Sequence, residues 1–300
     1  MRSLVTHWSI QPTVTLGLGL LCLLYWRGLR YSRRRGIGRH YRPWQSAAFM
    51  GGVITLFVAL DSPVDYWSDV YLWVHMAQHE LLTLVAAPLL VLSAPTWPLW
   101  RGVPLVWRRV SLRWLIRQRA IRRCWHALSH ALTRPVVAWA LFTATFTVWH
   151  LPALYDYALT HEFVHVSEHL LFLGTALLFW AQVIPSRPLR VTMNYPKQML
   201  YLGLAAIQAN VLGSVFMFST GVLYPYYAAV ARAPGDLTVL QDQHFAAAAM
   251  DLPGTFVFFL GIIALLGLWL QAEENAPEPR AARPVGQRAY TPQPNGIVRK

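Results

Sequence analysis

The sequence predicts an all-α polytopic membrane protein with seven transmembrane helices, the N-terminus outside and the C-terminus in the cytoplasm. Three observations lead there. First, 55% of the 300 residues are hydrophobic and mean hydropathy is +0.35, too apolar for an ordinary soluble domain. Second, apolar runs close to the ~20 residues that a helix needs to cross a bilayer recur along the chain. Third, the basic side chains gather in alternate connections between those runs. A backbone exposed to lipid must satisfy its own polar groups, and the alternation of barrel strands is absent, so the spans are helices.

Taken in order, the spans fall at 8–27, 45–61, 70–93, 134–151, 163–184, 197–219 and 245–271. The first carries its positive charges after the apolar run and shows no small-x-small cleavage site. It therefore reads as a retained anchor instead of a secretory signal. Arg27 to Arg42 follow the first span, Arg101 to Arg134 follow the third, Arg187 to Lys197 follow the fifth and Arg280 to Lys300 follow the seventh. These connections hold 24 of the 26 basic residues; only Arg2 and Arg232 lie on the other side. The positive-inside rule then puts those connections in the cytoplasm. Ten of the thirteen acidic residues fall in the outer loops or within the spans.

The net charge of +13 is thus a matter of topology and of contact with membrane lipid, not of nucleic acid. Residues 1–271 read as one membrane domain. Within it, 105–133 repeats Arg, Trp and Leu or Ile in the manner of an amphipathic helix on the inner leaflet. Residues 272–300, rich in Pro, Glu, Ala, Gln and Arg, read as a disordered cytoplasmic tail. Cys22 and Cys124 are the only cysteines, one deep in a span and one in a cytoplasmic loop, so neither a disulfide nor a thiolate site is indicated.

Under this threading, seven of the eleven histidines fall into one outer layer: His75, His79, His150, His161, His165, His169 and His244. His75 and His79, four apart, share one helix face with Cβ atoms about 6 Å apart. Gln78 lies on a neighbouring strip, and Pro88 further in should kink the third span. His150 ends the fourth span just before Pro152. The fifth begins with His161, His165 and Glu168 on a narrow stripe, His169 just to one side. His244 opens the seventh span, with Asp251 two turns inward and Pro253 loosening the helix.

An i, i+4 histidine pair offers two nitrogens to one ion, and a second pair from a facing helix completes a four-coordinate shell. Imidazole suits copper, zinc or iron. Met76 and Met250 are nearby thioethers that favour Cu(I) if they turn inward. Glu80, Glu168, Asp251 and Gln78 are the candidates to orient the rings or offset the ion's charge. The structural alternative is a histidine that only hydrogen-bonds between helices. It competes most strongly at His150 and His244, and core packing competes at Met76 and Met250. It fits His75/His79 and His165/His169 less well, because those pairs lie at matching depth on two helices.

Several stretches together resemble a known family. They are Ser62-Pro63-x-Asp65, His75-Met76-x-Gln78-His79 with Pro88, and Trp149-His150-x-Pro152-x-x-Tyr155. Then follow His161-x3-His165-x2-Glu168-His169, Phe179-Trp180, Tyr224-Pro225-x-Tyr227 and Asp242-Gln243. In order and spacing they are similar to the CtaG-type membrane assembly factors associated with caa3-type cytochrome c oxidase, from about residue 45 to 270. After Asp242-Gln243 that family tends to carry a Gly-Gly pair and Met-Trp; here stand alanines and Met250-Asp251. Asp251 and His244 are therefore not carried over.

The resemblance implies a seven-span bacterial inner-membrane protein that helps to mature a heme–copper oxidase by handling copper. On that expectation His75, His79, His165 and His169 are the primary ligands, and His161 and His150 an entry or exchange pair. Copper passes from a periplasmic donor to an oxidase subunit by ligand exchange, with no covalent chemistry, so the protein is not an enzyme. One rival is a b-type membrane cytochrome with bis-histidine heme ligation. Another is an ion or proton transporter using Glu80, Glu168 and Asp251.

Overall fold

A computed structural model describes residues 8, 11–36, 41–186, 188, 191–230, 232 and 235–275. Among them the chain forms thirteen helices and no strand. Helices α1 (Pro12–Arg34), α2 (Pro43–Leu60), α4 (Leu72–Leu92), α10 (Glu162–Trp180), α11 (Tyr195–Met217) and α13 (Val239–Glu274) are each long and apolar enough to cross a membrane. Between them lie α3 (Pro63–Ser68), α5 (Thr96–Gly102), α6 (Leu105–Arg117), α7 (Arg119–Leu132), α8 (Pro135–Trp149), α9 (Pro152–Thr160) and α12 (Pro225–Ala229).

Six spans are therefore evident, and a seventh if α8 is counted with α7, which meets it at a 78° bend. At 15 residues, α8 alone is about 22 Å long, short of a typical hydrocarbon core. The expected amphipathic segment is two helices broken at Gln118, and none of their residues is buried. Helix α13 continues three residues past the expected boundary at 271, to Glu274. The rest of the expected tail, 276–300, lies outside the described residues.

Helix α4 is the centre of the bundle. In its most apolar window 72% of residues are buried, against 11–39% in the other spans. It packs on α2, α10 and α13 at once. The outer faces carry Leu252, Phe256, Phe259 and Ile263 of α13 and Leu204, Ile207 and Val211 of α11, all exposed as lipid-facing residues are. Helix α1 reaches the bundle by close backbone approach to α5. A Cβ on Gly28 would collide with the Pro98 carbonyl, and one on Gly102 with the backbone of Leu24. At its other end α1 is tied by Gln11 N–H (2.5 Å) and the Thr15 hydroxyl, both donating to Asp61.

Pro88 changes α4 without ending it. Proline lacks the N–H and its ring crowds the preceding turn, so the ladder widens to a π segment over Leu81–Ala86. Ala87 N–H bonds to Leu82 O across five residues. In that register the missing N–H of Pro88 leaves the Thr83 carbonyl without its partner. Trp180 Nε1–H of α10 supplies one at 2.8 Å. Trp180→Phe should then cost about 1–3 kcal/mol, the usual penalty for an unsatisfied buried acceptor. Denaturant unfolding in detergent reads this directly, and a change within error would show that the carbonyl has another donor.

Candidate metal centre

The site forms at the N-terminal end of α4, where α3, α9 and α12 close over the bundle. Tyr71, the N-cap of α4, makes no side-chain cap. Asp242 of α13 supplies one from a distance, accepting from Leu72 N–H (2.9 Å) and Trp73 N–H (3.1 Å). A carboxylate there satisfies orphan amides and opposes the helix dipole. Asp242 is fully buried and paired with Arg232 Nη2 at 2.7 Å. Arg232 donates further to the Leu237 and Val70 carbonyls. Gln243, next along α13, accepts from Leu223 N–H and donates to Gly221 O, fixing the segment before α12.

From that segment Tyr227 reaches inward. Its O–H donates to Ser68 O at 2.7 Å, and its oxygen lies 3.4 Å from His75 Nδ1. Burial pushes the Tyr227 phenol well up from its ordinary value, so it keeps its proton. With that proton directed at Ser68, the oxygen accepts from His75 Nδ1–H, leaving His75 Nε2 with its lone pair. That nitrogen faces His79 Nε2 at 3.0 Å. Tyr155 of α9 packs on the His75 ring at 5.1 Å between centroids, and its hydroxyl is 3.3 Å from that of Tyr227.

Helix α10 brings the facing set. The His165 ring lies 5.3 Å from His75, His169 lies 6.1 Å from His75 and 5.5 Å from His79, and His165 and His169 are 4.4 Å apart. Single ligand atoms of His75, His165 and His169 fall within 4.8 Å of one another, as do those of His75, His79 and Glu168. Glu168 Oε1 is 3.6 Å from His79 Nε2. His75, His79, Glu168 and His169 are buried and His165 is half-buried. Yet His165 Nε2, His169 Nε2, His79 Nδ1 and both Glu168 oxygens have no hydrogen-bond partner. Buried polar atoms are normally satisfied. Five such atoms in one cluster, from residue types that bind metals, fit a cation as the missing partner.

The remaining candidates divide. His150, the C-cap of α8, is buried with its ring 6.0 Å from His79, and its Nε2 lies 3.2 Å from Met76 Sδ. His161 is exposed, stacked on Tyr157 at 4.0 Å and bonded to the Tyr157 carbonyl, outside the cluster. His244 is half-buried and turns to Ser219 O at 3.3 Å. Gln78 points towards α2 and α3, donating to Ala59 O (2.7 Å) and Asp65 Oδ1 (3.0 Å). Glu80 and Met250 line a small cavity with Gln208 and Gly254, away from the imidazoles. Asp251 is half-buried against Gly213. Arg232 stood out in the sequence only as one of two basic residues on the outer side, without a partner assigned. Tyr155, Tyr227 and Asp242 were legible there only as pieces of spaced motifs, without a role.

The sequence profile described as cytochrome c oxidase caa3 assembly factor matches residues 23–272 of this chain. Uncharacterised proteins of Mycobacterium bovis and Mycobacterium tuberculosis are each 24% identical to it over 282 residues, covering 90% of this chain and 40% of theirs. An uncharacterised protein of Mycobacterium leprae is 25% identical over 285 residues, with the same coverage. The chain thus spans about 40% of the length of these curated relatives. No solved structure matches.

Proposed function

The chain belongs to the cytochrome c oxidase caa3 assembly factor family, and from that premise we propose that it binds copper at the α4–α10 imidazole cluster and delivers it to an oxidase subunit within the bilayer. The observation that carries this reading is the set of buried atoms without a hydrogen-bond partner on His79, His165, His169 and Glu168, residues whose ligand atoms group with one of His75. Four imidazoles and a carboxylate suit copper, and a cargo ion needs ligands that it can leave one at a time. The protein lies in a bacterial inner membrane with the cluster on the outer side, the orientation in which the arginine-rich connections are cytoplasmic. It takes copper from a periplasmic donor and performs no covalent chemistry, so it is not an enzyme.

Heme is the less suitable occupant. Ligand atoms of three imidazoles, His75, His165 and His169, converge within 4.8 Å of one another, an arrangement suited to one small ion, whereas a bis-histidine heme uses two imidazoles on opposite faces of its plane. A transport path through Glu80, Glu168 and Asp251 is disfavoured because Glu168 is taken up in the imidazole cluster while Glu80 faces a separate cavity.

The test is the copper-to-heme ratio of cytochrome c oxidase from membranes of a host lacking the gene. Oxidase from the deletion strain should retain its heme and lose most of its copper. Wild-type protein should restore the copper, and a His75→Ala/His79→Ala variant present at equal amount should not. A fully copper-loaded oxidase in the deletion strain would overturn the delivery reading.

A further inference from the structure

His150 and Met76 meet in a way that ordinary core packing does not account for. His150 Nδ1 is 2.6 Å from the Phe146 carbonyl, while His150 Nε2 is 3.2 Å from Met76 Sδ. A carbonyl oxygen only accepts, and a thioether sulfur only accepts. A neutral imidazole carries one N–H. If Nδ1 holds the proton, Nε2 directs its lone pair at sulfur. If Nε2 holds it, Nδ1 directs its lone pair at the carbonyl at 2.6 Å. Each tautomer leaves two acceptors facing each other. The short N···O distance selects the first, so the exposed conflict is between nitrogen and sulfur.

Two species relieve that conflict: a proton or a soft cation. The imidazolium would be a charge buried among aromatic rings, with no carboxylate at either ring nitrogen. Phe146, Phe172, Phe216 and Tyr155 stand 4.7–6.5 Å from the His150 ring. Burying such a charge without a partner is costly. A cation that accepts both lone pairs is the better solution. Thioether and imidazole together, in a dry aromatic surround, select Cu(I) over harder ions.

We propose that Met76 Sδ and His150 Nε2 form a second metal station, specific for Cu(I), beside the imidazole cluster. It deepens the copper reading and rests on it. His79 connects the two stations. It faces His75 through Nε2 at 3.0 Å, its ring is 6.0 Å from His150, and its Nδ1 has no partner. Copper held by the imidazoles thus has a neighbouring ligand set to pass to, one turn along α4 from His79 to Met76. The Tyr224 hydroxyl donates to the His150 carbonyl at 2.9 Å and holds the C-cap in place for that transfer.

The experiment loads the detergent-purified chain with Cu(I) under reducing, anaerobic conditions and records metal content and copper K-edge X-ray absorption. Two coppers per chain are expected, with sulfur as well as nitrogen among the bound atoms. Met76→Leu, close in volume and unable to bind copper, should lose one copper and the sulfur signal while keeping the nitrogen-bound ion. Met250→Leu, altering a buried thioether that lines the Glu80 cavity, should change neither. Copper with a nitrogen and oxygen shell alone, or a sulfur signal surviving Met76→Leu, would overturn the second station and leave the imidazole site standing. A wild-type chain that binds no copper at all would instead overturn the copper reading, and the station with it.

Discussion

In a Met76→Leu background, replacing His75 and His79 together by alanine should abolish copper binding by the purified chain. The two residues share one face of α4, and their Nε2 atoms are 3.0 Å apart. Both triads of ligand atoms within 4.8 Å of one another include His75. Removing them strips the site of half its imidazoles and leaves His165, His169 and Glu168 facing an emptied space. Loss of an outer-shell partner alone typically costs 10–100-fold in metal affinity, so the loss of two direct ligands should exceed ~100-fold. Equilibrium dialysis followed by metal analysis reads this. His161→Ala and His244→Ala are the matched controls. Each removes an outer-layer histidine that bonds to a carbonyl elsewhere, Tyr157 O and Ser219 O respectively. Retention of copper by that variant, whose Met76 thioether is gone, would mean that α10 alone holds the ion. A loss in the His244→Ala variant would mean that the site is not where the rings converge.

Those controls also mark what could be read from the sequence. Period and hydropathy placed the middle spans to within a few residues, but α1 runs seven residues past its expected end, α13 starts six residues before its expected beginning, and α8 needs α7 to be long enough. Helical spacing put His75/His79 and His165/His169 on single faces, and matching depth made their convergence a reasonable expectation. Depth alone could not separate His165 from His161. Both lie on one stripe by spacing, yet α10 begins only at Glu162, and His161 caps it in an extended conformation. Nor could it set His150 apart from His244, because rotation about the helix axis is fixed by packing partners. Gln78 illustrates the same limit: one position from His79, it is turned by that step towards the Ala59 carbonyl and Asp65. Pro88 was legible as an interruption. The form it takes, a π segment whose spare carbonyl is met by Trp180, depends on a residue 97 positions away from Thr83.

The least legible feature is the one that sets α4 in place, and it carries the second large effect. Asp242→Ala should destabilise the chain by about 3–5 kcal/mol, the usual result of removing one member of a buried pair. The carboxylate serves three groups at once: Leu72 N–H, Trp73 N–H and the Arg232 guanidinium. Its removal opens the N-terminus of α4 one turn before His75 and leaves a half-buried cation facing apolar surroundings. Metal affinity should fall as well, because His75 sits on the turn so released, although Asp242 is no ligand. Arg232→Met separates the two roles. It removes the cation but leaves the carboxylate between two helical amides, where the helix dipole and both N–H groups still favour it. Arg232→Met should therefore cost less than Asp242→Ala in thermal unfolding and retain more of the copper affinity. Equal losses in the two variants would assign the effect to the ion pair, and the remote cap on α4 would then be incidental to the geometry of the histidines.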